Sequence, residues 1–187
     1  MIRLFIISAC LMFGSSSVAQ ETIHRPGVAG WSVDEVSDGP FGQRCSMSAR
    51  FSDGTRMYFE VTLRDAQFLV MFKNEDWLSL PSASVPIGQR QYRTRLVWSG
   101  TDASPVAADF TAANAAAGPL LFFQTAVSDM QTFLGPMAQA SSFRLESRGN
   151  VVGNYSMVGS SAATQKLSDC IQGHVDRINS DPFRSRN

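Results

Sequence analysis

The sequence predicts a single α+β domain that is mainly an antiparallel β sandwich or roll, with a short internal helix and a C-terminal helix. Apolar and polar residues alternate over several short segments, as they do in strands that bury one face. Near the C-terminus the apolar spacing changes to three and four residues, as in an amphipathic helix. The chain has 187 residues, of which 44% are hydrophobic, and both values are ordinary for one globular domain.

The N-terminus predicts export. Arg3 precedes an apolar run from Leu4 to Phe13, and Ser17-Val18-Ala19 offers the small residues that signal peptidases require. The run is shorter than the roughly 18 residues of a membrane-spanning helix, and no later segment reaches that length, so we expect no membrane span. These signals divide the chain into a signal peptide (1–19), a flexible leader (20–30), one β-rich domain (31–178) and a disordered tail (179–187).

A lipid anchor is the alternative at the N-terminus, because Ile7-Ser8-Ala9-Cys10 resembles a lipoprotein cleavage box. Cleavage there would leave an apolar stretch of only about six residues, whereas cleavage after Ala19 fits the usual length of a signal peptide. We therefore expect a periplasmic or secreted protein.

The strands follow from the alternation and from the turn residues between them. Ser52-Asp53-Gly54-Thr55 is the clearest hairpin signal, because Asp-Gly accepts the positive φ angles of a type I′ turn. Leu120–Phe123 is a continuous apolar run, as in a fully buried strand. In chain order, the predicted strands cover 31–36, 45–51, 57–63, 68–72, 92–98, 106–110, 120–123, 143–146 and 151–158.

Two helices complete the predicted fold. The internal helix covers Val127–Leu134 and is stopped by Gly135-Pro136. The C-terminal helix covers Ser161–Ile178, and Ser160 or Ser161 caps its N-terminus. Its apolar face is formed by Leu167, Cys170, Ile171, His174, Val175 and Ile178.

Cys45 and Cys170 are predicted to form a disulfide. They are the only cysteines left after removal of the signal peptide, and both lie on apolar faces, one of a strand and the other of the helix. Exported domains commonly contain such bridges, and no Cys-x-x-Cys motif indicates redox catalysis. A bridge that closes so long a loop stabilises a protein by roughly 2–5 kcal/mol.

The charged residues and the histidines argue against several function classes. Lys plus Arg equals Asp plus Glu, at 16 each, so no net charge attracts nucleic acid. The only histidines are His24 in the leader and His174 on the helix, where we expect a packing or surface role. No cluster of Cys, His or Asp has the spacing of a metal site. We therefore expect no catalytic residue, no metal and no cofactor.

A small cell-envelope hydrolase is the alternative function, since two carboxylates that meet across a cleft can act as general acid and base. The sequence leaves their pairing open, and isolated surface acids explain the same residues. The candidate carboxylates are Asp34, Glu35, Asp38, Glu60, Glu75, Asp76 and Asp109.

A basic strip is the candidate partner-binding patch. Arg90, Arg93 and Arg95 lie close together beside Tyr92 on a predicted strand. Such a strip can bind an anion or a protein partner, and its alternative is a solvated strand face. The predicted function is a non-enzymatic exported binding or accessory module that acts on a protein or a cell-envelope component, with no indication of its oligomeric state.

The order of features resembles a group of bacterial envelope proteins. An export signal, Trp31, Cys45 and a β-meander are followed by Tyr155–Ser160 and a helix that carries Cys170. This arrangement resembles small uncharacterised periplasmic proteins of Gram-negative bacteria, including ones loosely similar to the invasion-associated locus B group. The resemblance covers the chain from Trp31 to Cys170. It implies a cell-envelope location and supplies no catalytic residue.

Overall fold

The structure, a computed structural model, describes residues 21–39, 42–77, 91–115 and 118–180. Within these ranges the strands are β1 (Glu21–Val28), β2 (Trp31–Gly39), β3 (Gly42–Arg50), β4 (Arg56–Thr62), β5 (Gln67–Lys73), β6 (Gln91–Ser99), β7 (Val106–Ala115), β8 (Gly118–Ala126), β9 (Ser142–Ser147) and β10 (Asn150–Ser156). The α-helices are α1 (Gln131–Gln139) and α2 (Ser160–Ser180), and a 3₁₀ turn covers Val127–Asp129. The predicted fold class is confirmed.

The described strands form one antiparallel sheet in the order β1-β2-β3-β4-β5-β8-β7-β6-β9-β10. The first five strands are a meander in which each strand pairs with the next. β8 pairs with β5 and with β7, and β6 lies between β7 and β9. The described sheet therefore ends at β1 on one side and at β10 on the other.

Alternation places one face of the sheet in the core. In β4 and β5 every second side chain is buried, and the side chains between them are half-buried on the outer face. The buried side chains join into one hydrophobic cluster. Its largest fully buried aromatic members are Phe59, Phe68, Phe72, Phe110 and Phe143. The two-residue period of the sequence therefore predicts correctly which strand residues form the core.

The sheet curls into a roll, because strands that are far apart in its order meet through Tyr155 of β10. The Tyr155 ring lies 4.6 Å from the ring of Phe51, which directly follows β3, and 5.0 Å from the ring of Phe143 in β9. The Tyr155 hydroxyl lies 3.2 Å from Thr55 Oγ1, next to the start of β4. We call this contact between β10 and the turn at Phe51–Thr55 the seam.

The helix α2 packs on β2 and β3 and is held there by a disulfide between Cys45 and Cys170. The two sulfur atoms are bonded at 2.07 Å, the Cα atoms lie 6.0 Å apart, and the sequence separation is 125 residues. The helix α1 packs on α2, and Ser160 Oγ donates a 2.7 Å hydrogen bond to the Met137 carbonyl oxygen. The structure thus has the cysteine pairing that the sequence predicts.

The predicted flexible leader over residues 20–30 is wrong for Glu21–Val28, which form β1. This strand pairs with β2, and Ala29-Gly30 joins the two with positive φ angles of 47° and 88°. The strand could not be recognised in the sequence, because Pro26-Gly27 interrupts any alternation of apolar and polar residues. The register of the pairing with β2 also shifts at this point. An edge strand tolerates proline because its outer side needs no hydrogen-bond donor.

The internal helix was predicted to stop at Gly135-Pro136, but α1 continues through Pro136 to Gln139. Proline lacks the N–H that would bond within the helix. Packing offsets this loss, because Met137 in the extra turn is fully buried and the Pro136 carbonyl still accepts a 2.9 Å hydrogen bond from Ala140 N. Tertiary contacts therefore override the local stop signal.

The C-terminal helix extends to Ser180, so the predicted disordered tail begins too early at residue 179. Residues 181–187, like the predicted signal peptide, lie outside the described ranges. Val175 and Ile178 are each 37% exposed, so the buried stripe of α2 is narrower than predicted. Within the described residues, neither α-helix has the length and apolar content that a membrane span needs.

We predict that Cys45→Ala combined with Cys170→Ala lowers the free energy of unfolding by about 2–4 kcal/mol. The bridge restricts the unfolded chain and holds α2 on the sheet. Urea denaturation followed by circular dichroism measures the loss. Reduction of the wild-type protein is the control, because it should shift the midpoint by a similar amount and leave the variant unchanged. Equal midpoints for wild type and variant would contradict a structural role for the bridge.

Candidate functional site

A buried ionic cluster joins α2 to β2. Glu35 and His174 are 3% and 0% exposed. Arg177 Nη2 donates hydrogen bonds of 2.6 Å to Glu35 Oε1 and to His174 Nδ1. A guanidinium has only donors, so Nδ1 accepts the hydrogen bond from Arg177. The His174 Nε2 atom lies 3.3 Å from both Glu35 Oε1 and Arg177 Nη2. The three side chains thus satisfy one another at the edge of the core.

The sulfur atoms beside this cluster have the position of metal ligands or of a thiol nucleophile. The ligand atoms of Cys45, Cys170 and His174 all lie within 4.8 Å of one another. The thiolate is the form that binds metals and attacks substrates, however, and both sulfurs belong to the disulfide. All three residues are also at most 1% exposed. We therefore assign a packing role to the disulfide and the neighbouring ionic cluster, which together hold α2 on the sheet.

Among the candidate carboxylates, Glu35, Glu60 and Asp109 are members of ion pairs in the described part of the protein. Glu60 and Asp109 lie 3.5 Å from Arg44 and 3.3 Å from Arg93, as members of ion pairs. Glu35 belongs to the buried cluster. The larger grooves among the described residues each contain at most one carboxylate. The hydrolase alternative therefore gains no support from this geometry.

The predicted basic patch does not form one continuous surface. Arg93 and Arg95 lie on the outer face of β6, and each forms a 3.3 Å ion pair with a neighbouring carboxylate. Tyr92 is 8% exposed, because alternation turns it toward the inner side, and the Arg148 guanidinium lies 4.1 Å from its ring centre. Arg90 lies outside the described residues. Partner binding by this patch remains a prediction.

A different set of cations forms a row across the outer face of β3, β4 and β5. Arg50 lies directly opposite Arg56, and Arg56 lies directly opposite Lys73. Lys73 forms a 3.5 Å ion pair with Glu75, whereas neither arginine has a salt bridge among the described residues. A hydrogen bond with the Tyr58 side chain raises the pKa of Arg56, and the charge of the nearby Glu75 carboxylate adds to this effect. We call Arg50, Arg56 and Lys73 the basic row.

Arg50 and Arg56 of the basic row border a groove that runs along the seam. One part, with a volume of about 600 Å³, lies between the end of β10 (Asn154–Ser156) and the turn at Phe51–Asp53. A second part of about 440 Å³ continues past Arg50 to Arg56. Both parts share Arg50 and the turn at Ala29-Gly30, so they form one continuous depression, which we call the seam groove. Ligand sites in proteins commonly have volumes of this size.

A buried hydrogen-bond network fixes one wall of the seam groove. The Asp53 carboxylate accepts hydrogen bonds from Thr55 N at 2.9 Å and from Thr55 Oγ1 at 3.0 Å. Thr55 Oγ1 in turn accepts from Asn74 Nδ2 at 2.9 Å, and it lies 3.2 Å from the Tyr155 hydroxyl. Because the threonine proton points to Asp53, the Tyr155 hydroxyl is the donor in the last bond. Burial, together with the nearby Asp53 charge, raises the pKa of Tyr155 to about 12.

This network replaces the type I′ turn predicted at Ser52–Thr55. Gly54 has the positive φ that the prediction requires, at 84°, but Asp53 is not among the residues with positive φ. The Asp53 side chain instead caps the loop, and Phe51 N donates to the Thr55 carbonyl oxygen at 2.8 Å. The hairpin is therefore present where the sequence predicts it, with a longer loop.

The basic row could not be predicted from the sequence, because its register depends on the length of the loop after β3. The predicted two-residue turn at Asp53-Gly54 would place Arg50 opposite Met57, whereas the longer loop of the structure shifts the register by one residue and places Arg50 opposite Arg56. The place of Lys73 in the row depends on the register of the next hairpin as well. The groove itself had no signal, because β10 and the turn after β3 are about a hundred residues apart in the chain.

Comparison with known proteins adds no relative to this picture, since no family model, no curated protein and no solved structure matches the chain. The candidate site therefore rests on its own geometry.

We predict that Tyr155→Phe reduces the decrease in the free energy of unfolding that the protein shows as the pH rises above about 10. A tyrosine in the unfolded chain ionises near pH 10, about two pH units below the folded Tyr155. Between about pH 10 and 12 the unfolded state therefore binds fewer protons than the native state, and the free energy of unfolding falls as pH rises. The phenylalanine variant loses this contribution, and urea unfolding at several pH values measures the slope. Identical slopes for the two proteins would contradict the assignment.

Proposed function

We propose that this protein is an exported, non-enzymatic binding module that holds an acidic segment of a partner protein in the seam groove. The observation that carries the proposal is the direct opposition of Arg50 and Arg56 on the outer face, with no salt bridge to either within the described residues. Like charges directly opposite on one face of a sheet are destabilising. A carboxylate from a partner relieves this repulsion.

Other arginines on the outer face of the sheet are neutralised by nearby carboxylates. The contrast distinguishes Arg50 and Arg56 from the paired arginines on the same face. The neutralised pairs are Arg44–Glu60, Arg93–Asp109, Arg95–Glu146 and Arg144–Glu146. Arginine also suits carboxylates especially well, since its planar fork can donate two parallel hydrogen bonds to one carboxylate.

A protein segment fits the site better than other anions. The equal totals of acidic and basic residues provide no long-range attraction for nucleic acid. One wall of the groove is the edge of a β-strand, which offers backbone groups as well as charge. A disulfide suits an oxidising compartment, and this supports an exported location, as does the resemblance to periplasmic proteins.

We expect the protein to bind a fluorescent seven-residue peptide in which Glu and Val alternate, a composition that favours an extended chain. Fluorescence anisotropy measures the affinity, which should fall as salt concentration rises. Arg50→Gln and Arg56→Gln should each weaken binding about tenfold, because each removes a charged hydrogen-bond donor. Neither should lower the thermal midpoint, since each removes one of two repelling charges.

Arg93→Gln and Arg95→Gln are the matched controls, because these arginines lie on the same outer face but are already paired. They should leave the affinity unchanged. The opposite pattern would move the site to the patch on β6 and overturn the proposal. Equal binding of a Gln–Val peptide would show that charge is not recognised. Arginine-dependent binding to vesicles of anionic phospholipid, without peptide binding, would assign the groove to a lipid surface instead.

A further inference from the structure

We infer that the acidic segment binds as an extended antiparallel strand that pairs with the open edge of β10. The inference rests on the proposed function and specifies how the partner is held. Among the described residues β10 pairs with β9 on one side, and no strand pairs with its other side. That open side forms a wall of the seam groove. An unpaired strand edge is a template for another strand.

The backbone groups of Asn154 and Ser156 point into the groove. Met157 N donates a 2.9 Å hydrogen bond to the Ser141 carbonyl oxygen on the side of β9. Backbone groups alternate in direction along an antiparallel strand, so those of Tyr155 face β9 and those of its two neighbours face the open side. By the same alternation the Val158 carbonyl oxygen faces the open side, where it accepts a 3.1 Å hydrogen bond from Trp31 Nε1 across the groove.

The ends of the open edge limit the pairing to a short stretch. The register of β10 with β9 shifts between Val151 and Gly153, which interrupts the alternation at that end. At the other end, the Val158 carbonyl oxygen already accepts a hydrogen bond from Trp31 Nε1, so it is not available to an added strand. Val151 and Val158 are the most exposed large hydrophobic residues in the described chain, at 56% and 68%. These two residues lie on either side of the open stretch at Asn154–Ser156.

The two faces of the site predict the side-chain pattern of the added strand. Asn154 and Ser156 are exposed on the outer face, where Arg50 also lies, whereas Tyr155 and Phe51 form the inner wall. Neighbouring strands lie about 4.8 Å apart, so side chains of an added strand reach both surfaces. Acidic residues therefore face outward to Arg50, and the apolar residues between them face the aromatic wall.

N-methylation of the Glu–Val peptide tests the pairing. In an antiparallel addition the outward-facing residues are those whose N–H groups point to β10. A peptide N-methylated at its Glu residues should therefore bind at least tenfold more weakly, because each methyl group removes one donor and blocks close approach. A peptide N-methylated at its Val residues is the matched control and should bind within about twofold of the parent. Anisotropy against the wild-type protein measures both affinities.

A substitution in the protein provides the complementary test. Ser156→Pro removes one N–H that points into the groove, at an edge position where proline is tolerated. It should weaken binding of the parent peptide, and an unchanged circular dichroism spectrum shows that the fold persists. If both methylated peptides and the parent bind equally while Arg50→Gln still weakens binding, strand pairing is wrong and the proposed function stands. If no acidic peptide binds, the proposed function itself fails.

Discussion

The contact of Tyr155 with Phe51 and Thr55 holds the two distant parts of the sheet together, and the position of β10 beside the arginines depends on it. Without the contact, the edge of β10 and the turn after β3 would not form two walls of one groove. The chain makes room for this tyrosine at Gly153, where a Cβ atom would overlap the Tyr155 hydroxyl. The buried Thr55 network then fixes the orientation of the ring.

The charged residues that hold the fold together lie apart from the arginines that have no salt bridge among the described residues. Inside, Glu35, His174 and Arg177 satisfy one another beside the disulfide and keep α2 on the sheet. Outside, Arg50 and Arg56 place positive charge beside a groove that also contains the open edge of β10. A residue set that looks catalytic by type, with acid, histidine and sulfur, is therefore the packed part of the protein. The binding chemistry lies in backbone groups and arginines.

Much of the fold could be predicted from the sequence, because the two-residue period marks β4 and β5 clearly and the two cysteines face inward. β1 could not, since its residues lack alternation and become a strand by pairing with β2. The site could not be predicted in the same way. The predicted turn at Asp53-Gly54 would place Arg50 opposite Met57, one residue from the observed register, and the closure of the roll depends on contacts between residues far apart in the chain, which local patterns do not encode.

Amide hydrogen exchange in the free protein, resolved by residue with NMR, tests the central claim that an open strand edge borders the seam groove. We expect slow exchange for Tyr155 and Met157, whose N–H groups face β9, and fast exchange for Asn154 and Ser156, whose N–H groups face the groove. Equal protection of all four amides would contradict the account, because it would show that the edge of β10 is already covered.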